Sequence, residues 1–192
     1  MTGLDEEFLK FVTKCDALKF GEFVLKDGSK SDVFFNSGSF DTGPKLRGLA
    51  RFFANKINDI EPDCTLIYGS AYKGIPLATA VSMELSNIKG KEVGYLFNRK
   101  EKKLHGDGGD FIGKIPVEDD VIVFVDDVIT SGQTKQEGII SIKNYFLQPI
   151  SSIFVAIDRR DSYQDINKCP VHSLTTLEII RKFVAKKRHN GR

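Results

Sequence analysis

The stretch VIVFVDDVITSGQT, residues 121–134, decides the fold. Its apolar, β-branched opening predicts a buried strand over 121–125. Uninterrupted apolar strands of this kind belong to parallel sheets covered on both faces. The strand then runs into two adjacent carboxylates, Asp126 and Asp127, and on into Thr130, Ser131, Gly132, Gln133 and Thr134. Like charges repel, and desolvating either one is costly, so the use of the pair depends on what the loop after it can hold.

Outward from this stretch the pattern alternates. Leu4, Phe8, Phe11, Val12, Cys15 and Leu18 recur at helical spacing. FGEFVLKDGSKSDVFFN (20–36) predicts two short strands about a DGSK turn. In TGPKLRGLARFFANKINDI (42–60), Pro44 suits a first helical turn, and Leu46, Leu49, Phe53, Ile57 and Ile60 share one face. Strand-like CTLIYG (64–69), a helix from about Pro76 to Leu85 and strand-like VGYLF (93–97) follow. A polar, glycine-rich segment spans Asn98–Lys114. After the 121–125 strand come a helix near 134–146, strand SSIFVAI (151–157) and a final helix from about Leu174 to Lys187. The expectation is one α/β domain over 1–192: a parallel sheet flanked by helices, with a small N-terminal hairpin as a hood.

Composition narrows the function classes. With 28 basic and 26 acidic residues the net charge is +2, so no global field points to nucleic acid or membrane. Cys15, Cys64 and Cys169 form no CxxC pair, which fits a reducing cytoplasm rather than a disulfide framework or zinc cluster. The opening MTGLDEEFLKF is acidic and unlike a signal peptide, and no apolar run reaches membrane-spanning length. A soluble cytoplasmic protein is expected.

Ligands of such sheets bind beyond the carboxyl ends of the strands. Three unusual segments fall there: YGSAYKGIP (68–76), NRKEKKLHGDGGDFIG (98–113) and the opening stretch. Residues 130–134 lie where a helix begins, so free backbone N–H groups, small hydroxyls and the helix dipole favour a phosphate. No GxxxxGK[ST] P-loop is present. Ionised Asp126 and Asp127 only accept hydrogen bonds, which suits a ribose diol or a magnesium ion beside it. The residues alone leave open an ordinary strand-to-helix turn with an aspartate as cap.

The ordered motifs carry a resemblance. VIVFVDDVITSGQT resembles the phosphoribosyl-pyrophosphate (PRPP) signature of the type I phosphoribosyltransferases. LKDGSKSDVFFNSG (25–38), YGSAYKGIPLAT (68–79), FNRKEKKLHGDGG (97–109) and VAIDRR (155–160) resemble the orotate phosphoribosyltransferases among them. The match covers roughly residues 20–160 in order. It implies that Thr130–Thr134 take the 5-phosphate of PRPP, with Val128 and Ile129 in the same motif, and that Asp126 and Asp127 take the ribose hydroxyls. Tyr72, Lys73, Arg99, Lys100, Lys103 and His105 would hold the pyrophosphate, and Lys26 another part of PRPP. Phe34, Phe35, Thr130 and Arg159 would contact orotate.

It further implies catalytic roles for Lys103, His105, Asp126 and Asp127, and a flexible loop at about 99–114 that reaches across a homodimer to build shared sites. Mg²⁺ is implied as cofactor, held mainly through PRPP with no firm protein ligand. Ser37, Leu104 and Gln133 depart from the family's usual residues.

The chemistry of the side chains is compatible with these roles. Five potentially cationic groups beside glycines, Arg99 to His105, suit a flap closing over a polyanion, although such a run is also what a solvated surface carries. Lys73 read alone is equally a surface lysine. An aromatic face suits a planar pyrimidine and an arginine fork suits its oxygens, but adjacent phenylalanines in a strand normally split between core and surface.

The residues do not choose orotate over another base; the resemblance does. A phosphoribosyltransferase for another base, or a non-catalytic PRPP-sensing regulator, are the alternatives. No segment reads as a helix-turn-helix, and the basic RKFVAKKRHNGR (181–192) suits a helix C-terminus. The chain also leaves no room for a fused decarboxylase.

Overall fold

The computed structural model describes residues 3–24, 28, 30–100 and 109–190, the last four by backbone alone. Helix α1 (Gly3–Lys14) buries Phe8, Leu9 and Val12 on one face, with Asp5 and Glu6 in its first turn and Lys14 in its last, as the helix dipole favours. Strands β1 (Leu18–Val24) and β2 (Lys30–Phe35) form the expected antiparallel hairpin, Leu18 opposite Phe35 and Val24 opposite Lys30. Helix α2 (Gly43–Ile60) starts with proline in its first turn and buries Leu49, Ala50, Phe53, Ala54 and Ile57.

From there strands and helices alternate. Strand β3 (Leu66–Gly69) leads into helix α3 (Gly74–Lys89), which Gly90 ends in the left-handed conformation at φ 62°. Strands β4 (Gly94–Asn98) and β5 (Phe111–Gly113) follow, then β6 (Ile122–Ile129), helix α4 (Gln133–Phe146), β7 (Ile150–Asp158), β8 (Val171–Thr176) and helix α5 (Leu177–Asn190).

The main sheet has the order β5-β4-β3-β6-β7-β8, and all its pairs are parallel except β4–β5. From β3 the chain crosses by α3 to β4 on one side; from β6 it crosses by α4 to β7 on the other. The crevice beyond the carboxyl ends of β3 and β6 is therefore the topological switch point. Strand alternation sorts the interior into two layers. Ile67, Val123, Val125, Phe154 and Ala156 pack with Phe53, Ile57, Leu77, Val81 and Ile180 of α2, α3 and α5. Leu66, Tyr68, Ile122, Phe124 and Val155 pack on the opposite face with Ile139 and Ile142 of α4 and with Phe111. Phe53, Phe124 and Phe154 are fully enclosed, and truncating a ring so placed costs about 3–5 kcal/mol.

The α/β reading holds, with three corrections of boundary. Strand β6 continues through both aspartates to Ile129, because β7 pairs with it at Asp126↔Val155 and onward to Ile129↔Asp158. The last part of the expected 99–114 loop is strand β5, which hydrogen-bonds to β4 with Phe97 opposite Ile112. The expected helix start at Leu174 lies within β8, since the edge of β7 captures 171–176 with Asp158 opposite Thr176; helix α5 begins at Leu177. Among the described residues no helix is long and apolar enough to cross a membrane.

Candidate active site

Because successive strand residues face opposite ways, β6 delivers its two aspartates to different layers. Asp126 follows Ile122 and Phe124 toward α4, where it is buried and Lys135 Nζ donates to its Oδ2. The same ammonium donates to the Val128 carbonyl at 2.6 Å, and the Asp127 N–H donates to Asp126 Oδ1 at 2.9 Å. Burial pushes the Asp126 carboxyl up from its ordinary value; the Lys135 charge opposes that shift and the neighbouring Asp127 adds to it.

Asp127 points the other way, toward the hood and α3. Ser37 Oγ donates to its Oδ2 at 2.5 Å and Lys73 Nζ lies 3.3 Å from the same oxygen. The Val128 N–H donates to Oδ1 at 2.8 Å.

The loop after β3 is fixed by close packing. A Cβ on Gly69 would sit 2.2 Å from the Gly74 carbonyl oxygen, so only glycine lets β3 and the start of α3 approach this closely. Asn98, at the end of β4, accepts from Tyr68 Oη at 3.1 Å and from the Ala71 N–H at 3.2 Å, tying three segments together. The Ala71–Tyr72 peptide is cis. Tyr72 and Lys73 are exposed, and Lys100 Nζ stands 5.2 Å from the centre of the Tyr72 ring. The Arg99 N–H donates to the Asp110 carbonyl at 2.6 Å.

Beyond β6 the chain turns at Gly132, whose φ of 81° favours glycine. Thr130, Ser131, Gln133 and Thr134 are exposed around it at the N-terminus of α4. Ser131 Oγ accepts from the Gln133 N–H at 3.4 Å, and the Gln133 side chain runs along the helix to Glu137 at 3.0 Å. A helix start at the carboxyl end of β6 is an arrangement that favours an anion.

The hood contributes unevenly. Phe34 is 38% exposed and pairs with Phe23 at 5.4 Å, whereas Phe35 is buried against Phe40. The two adjacent rings split as expected for a strand: β2 alternates, so the Phe35 ring belongs to the core while Phe34 stays partly exposed. Arg159 leaves the end of β7, its N–H on the Ile129 carbonyl at 3.0 Å and its Nη2 donating to Ser31 Oγ at 2.7 Å, so it bridges the sheet and the hood.

Asp126, Asp127, Tyr72, Lys73, Lys100, Arg159 and the 130–134 turn all lie at this end of the sheet. Lys26, Lys103, Leu104 and His105 fall outside the described residues. Sequence reasoning missed Lys135, Asn98 and the hydrogen bond from Ser37. For Lys135 a signal existed: it shares the helical face of Gly138, Ile139 and Ile142, the buried face of α4.

Comparison with known proteins agrees with this geometry. The model of the phosphoribosyl transferase domain family matches residues 39–189. The chain is 39% identical over 184 residues to the orotate phosphoribosyltransferase of Methylococcus capsulatus, covering 91% of this chain and 85% of that one. It is 42% identical over 164 residues to that of Colwellia psychrerythraea, covering 85% and 73%. The crystal structure of orotate phosphoribosyltransferase from Francisella tularensis superposes with a TM-score of 0.78 at 34% identity, covering 94% of this chain and 90% of that one.

Proposed function

The chain belongs to the phosphoribosyl transferase family, among the orotate phosphoribosyltransferases, and from that premise we propose that it transfers the 5-phosphoribosyl group of PRPP to orotate. The products are orotidine 5′-monophosphate and pyrophosphate, a step of pyrimidine biosynthesis. One observation carries the reading at the site: an acid pair at the β3–β6 switch point, followed directly by a glycine turn and a helix N-terminus.

In this reading the amides and hydroxyls of 130–134 bind the 5-phosphate and the aspartates accept from the ribose hydroxyls. Tyr72, Lys73, Arg99 and Lys100 receive the pyrophosphate, joined by Lys26, Lys103 and His105. Orotate lies between Phe34 and Arg159, with Thr130 at its edge and the Phe35 backbone behind it. Its N1 attacks C1 of the ribose as the C1–O bond to pyrophosphate breaks, and the proton on N1 leaves with the pyrophosphate. Positive charge grows on the sugar and negative charge on the leaving group, which preorganised lysines and arginines stabilise. Closure of the basic loop over the site would exclude water that otherwise hydrolyses PRPP.

Among the described residues no three His, Cys, Asp or Glu side chains converge as a metal site. The donors at hand are the two aspartates and the oxygens of PRPP, a set that fits a magnesium ion held mainly through substrate. Bound there, magnesium would neutralise pyrophosphate charge.

A homodimer with shared sites is part of the proposal; exposed Met83 and Tyr95 beside one open cavity are apolar surface of the kind a second copy covers. A single domain in the cytoplasm is also proposed. The three cysteines are free and buried, and burial pushes the Cys64 thiol up to about 11 and the Cys169 thiol to about 12, so both suit a reducing compartment as inert core residues.

The test follows orotate absorbance with PRPP and magnesium, beside uracil, hypoxanthine and adenine. Loss of orotate alone is expected. Turnover of another base instead would overturn the acceptor, and PRPP binding without turnover of any base would favour a sensor.

A further inference from the structure

We propose that Lys135 is a positioning residue for phosphoribosyl transfer: a buried counter-ion that holds Asp126 in the orientation that meets the ribose, leaving Asp127 as the exchangeable member of the acid pair. The inference rests on the proposed function and deepens it.

The two aspartates have cations of opposite character. The Lys135 side chain is 6% exposed and the Lys73 side chain 67%. Lys73 stands on the loop expected to meet the ligand, so its contact with Asp127 can be exchanged for the incoming polyanion. Lys135 has no such freedom. Its stem lies on the buried face of α4, and two of its three N–H bonds go to Asp126 Oδ2 and the Val128 carbonyl.

The backbone is shaped to allow this reach. Gly138, one turn along the same face, lies where a Cβ would meet the Phe124 ring at 2.7 Å, so α4 packs directly on β6. Val128 is the residue whose N–H holds Asp127, and its carbonyl is the second anchor of Lys135. The lysine thus fixes the peptide that joins the acid pair to the phosphate turn.

Stability alone does not explain such a group. A buried ion pair often contributes less than well-packed apolar side chains of the same volume, and an apolar residue would continue the Ile139–Ile142 face without desolvating a charge. Without a cation, Asp126 would sit as a buried carboxylate whose charge burial disfavours; protonation would weaken it as an acceptor for the ribose hydroxyls, and rotation would aim its oxygens elsewhere.

The experiment compares wild type with Lys135→Met, Asp126→Asn and the double variant, reading PRPP affinity by calorimetry without acceptor, KM and kcat for both substrates, and thermal melting. Lys135→Met is expected to weaken PRPP binding roughly tenfold to a hundredfold, with the KM for orotate within about twofold. The double variant should bind PRPP no worse than Asp126→Asn alone, because the lysine acts through that carboxylate.

Lowered melting with unchanged PRPP affinity would overturn the proposal, as would losses that simply add. Should Lys135→Met not fold, Lys135→Gln, which keeps an amide donor without the charge, is read against the same outcomes. PRPP affinity is measured without a base, so a protein that used a different acceptor would fail the wild-type orotate assay and still report on Lys135.

Discussion

Strands β6 and β2 both bring side chains to the same end of the molecule, but six of the eight residues of β6 are buried while β2 alternates buried and exposed. The β6 floor is continuous with both layers of the core, and glycines at 69, 74 and 132 are forced by backbone approach or by φ. The hood is a two-stranded hairpin fastened to the rest by Arg159 on Ser31 and by the Arg181 fork on Asp32. A two-stranded hairpin alone is marginal in water, so these fastenings and its buried Leu18, Val33 and Phe35 set its position. The sugar-phosphate half of the proposed site is thus built into the fold, and the acceptor half is hung upon it.

If that division holds, changes in the floor move PRPP-dependent turnover, together with stability where the backbone is closely packed, and changes at the exposed face of the hood move acceptor use alone. Gly69→Ala should show the largest effect, because its new Cβ meets a backbone oxygen that cannot step aside. A stability loss of about 3 kcal/mol and a melting temperature lower by about 6–12 °C are expected, with PRPP-dependent activity lost as well. A melt close to wild type would break the comparison.

Asp127→Asn comes next. Its side chain is 18% exposed and reaches the ligand side, so kcat/KM should fall on the order of hundredfold with the melting temperature nearly unchanged. Phe34→Ala should raise the KM for orotate about tenfold and leave the PRPP KM as it was, which steady-state kinetics with each substrate varied would check.

Arg181→Ala should have the smallest effect. Both partners of its ion pair are more than half exposed, and such pairs contribute below about 1 kcal/mol. The hydrogen bond from Arg181 holds the Asp32 carboxyl below its ordinary value. That contribution is complete above the ordinary aspartate range and is lost as pH falls through the lowered value. The melting curves of wild type and Arg181→Ala should therefore differ slightly near neutrality and converge in acid. A gap that widened on acidification would contradict the assignment.

Periodicity made the floor legible before the hood. The apolar run at 121–125 placed β6 correctly, since few arrangements other than a doubly covered strand accept it. Its true end was hidden, because adjacent aspartates read as a loop until their partners are known. Those partners, Ser37 and Lys135, are 90 and 9 residues away in sequence from the acids they serve. Strand β8 was misread because Leu174, Leu177 and Ile180 fall three apart, and an edge strand held by one neighbour leaves only a weak alternation of its own. Lys135 escaped notice for a different reason: lysine is ordinarily a surface residue, and composition outweighed its place on an apolar helical face.

The opposite facing of Asp126 and Asp127 also acts as a checksum on assembly. A one-residue slip of β6 exchanges every side chain between the two layers. In one direction it would set Val125 against the Lys135 ammonium. In the other it would drive Asp126 to the place of Val125, deep in an apolar layer. Either error strands a charge without its counterpart, so the alignment that completes the ligand site is also the one that the interior accepts.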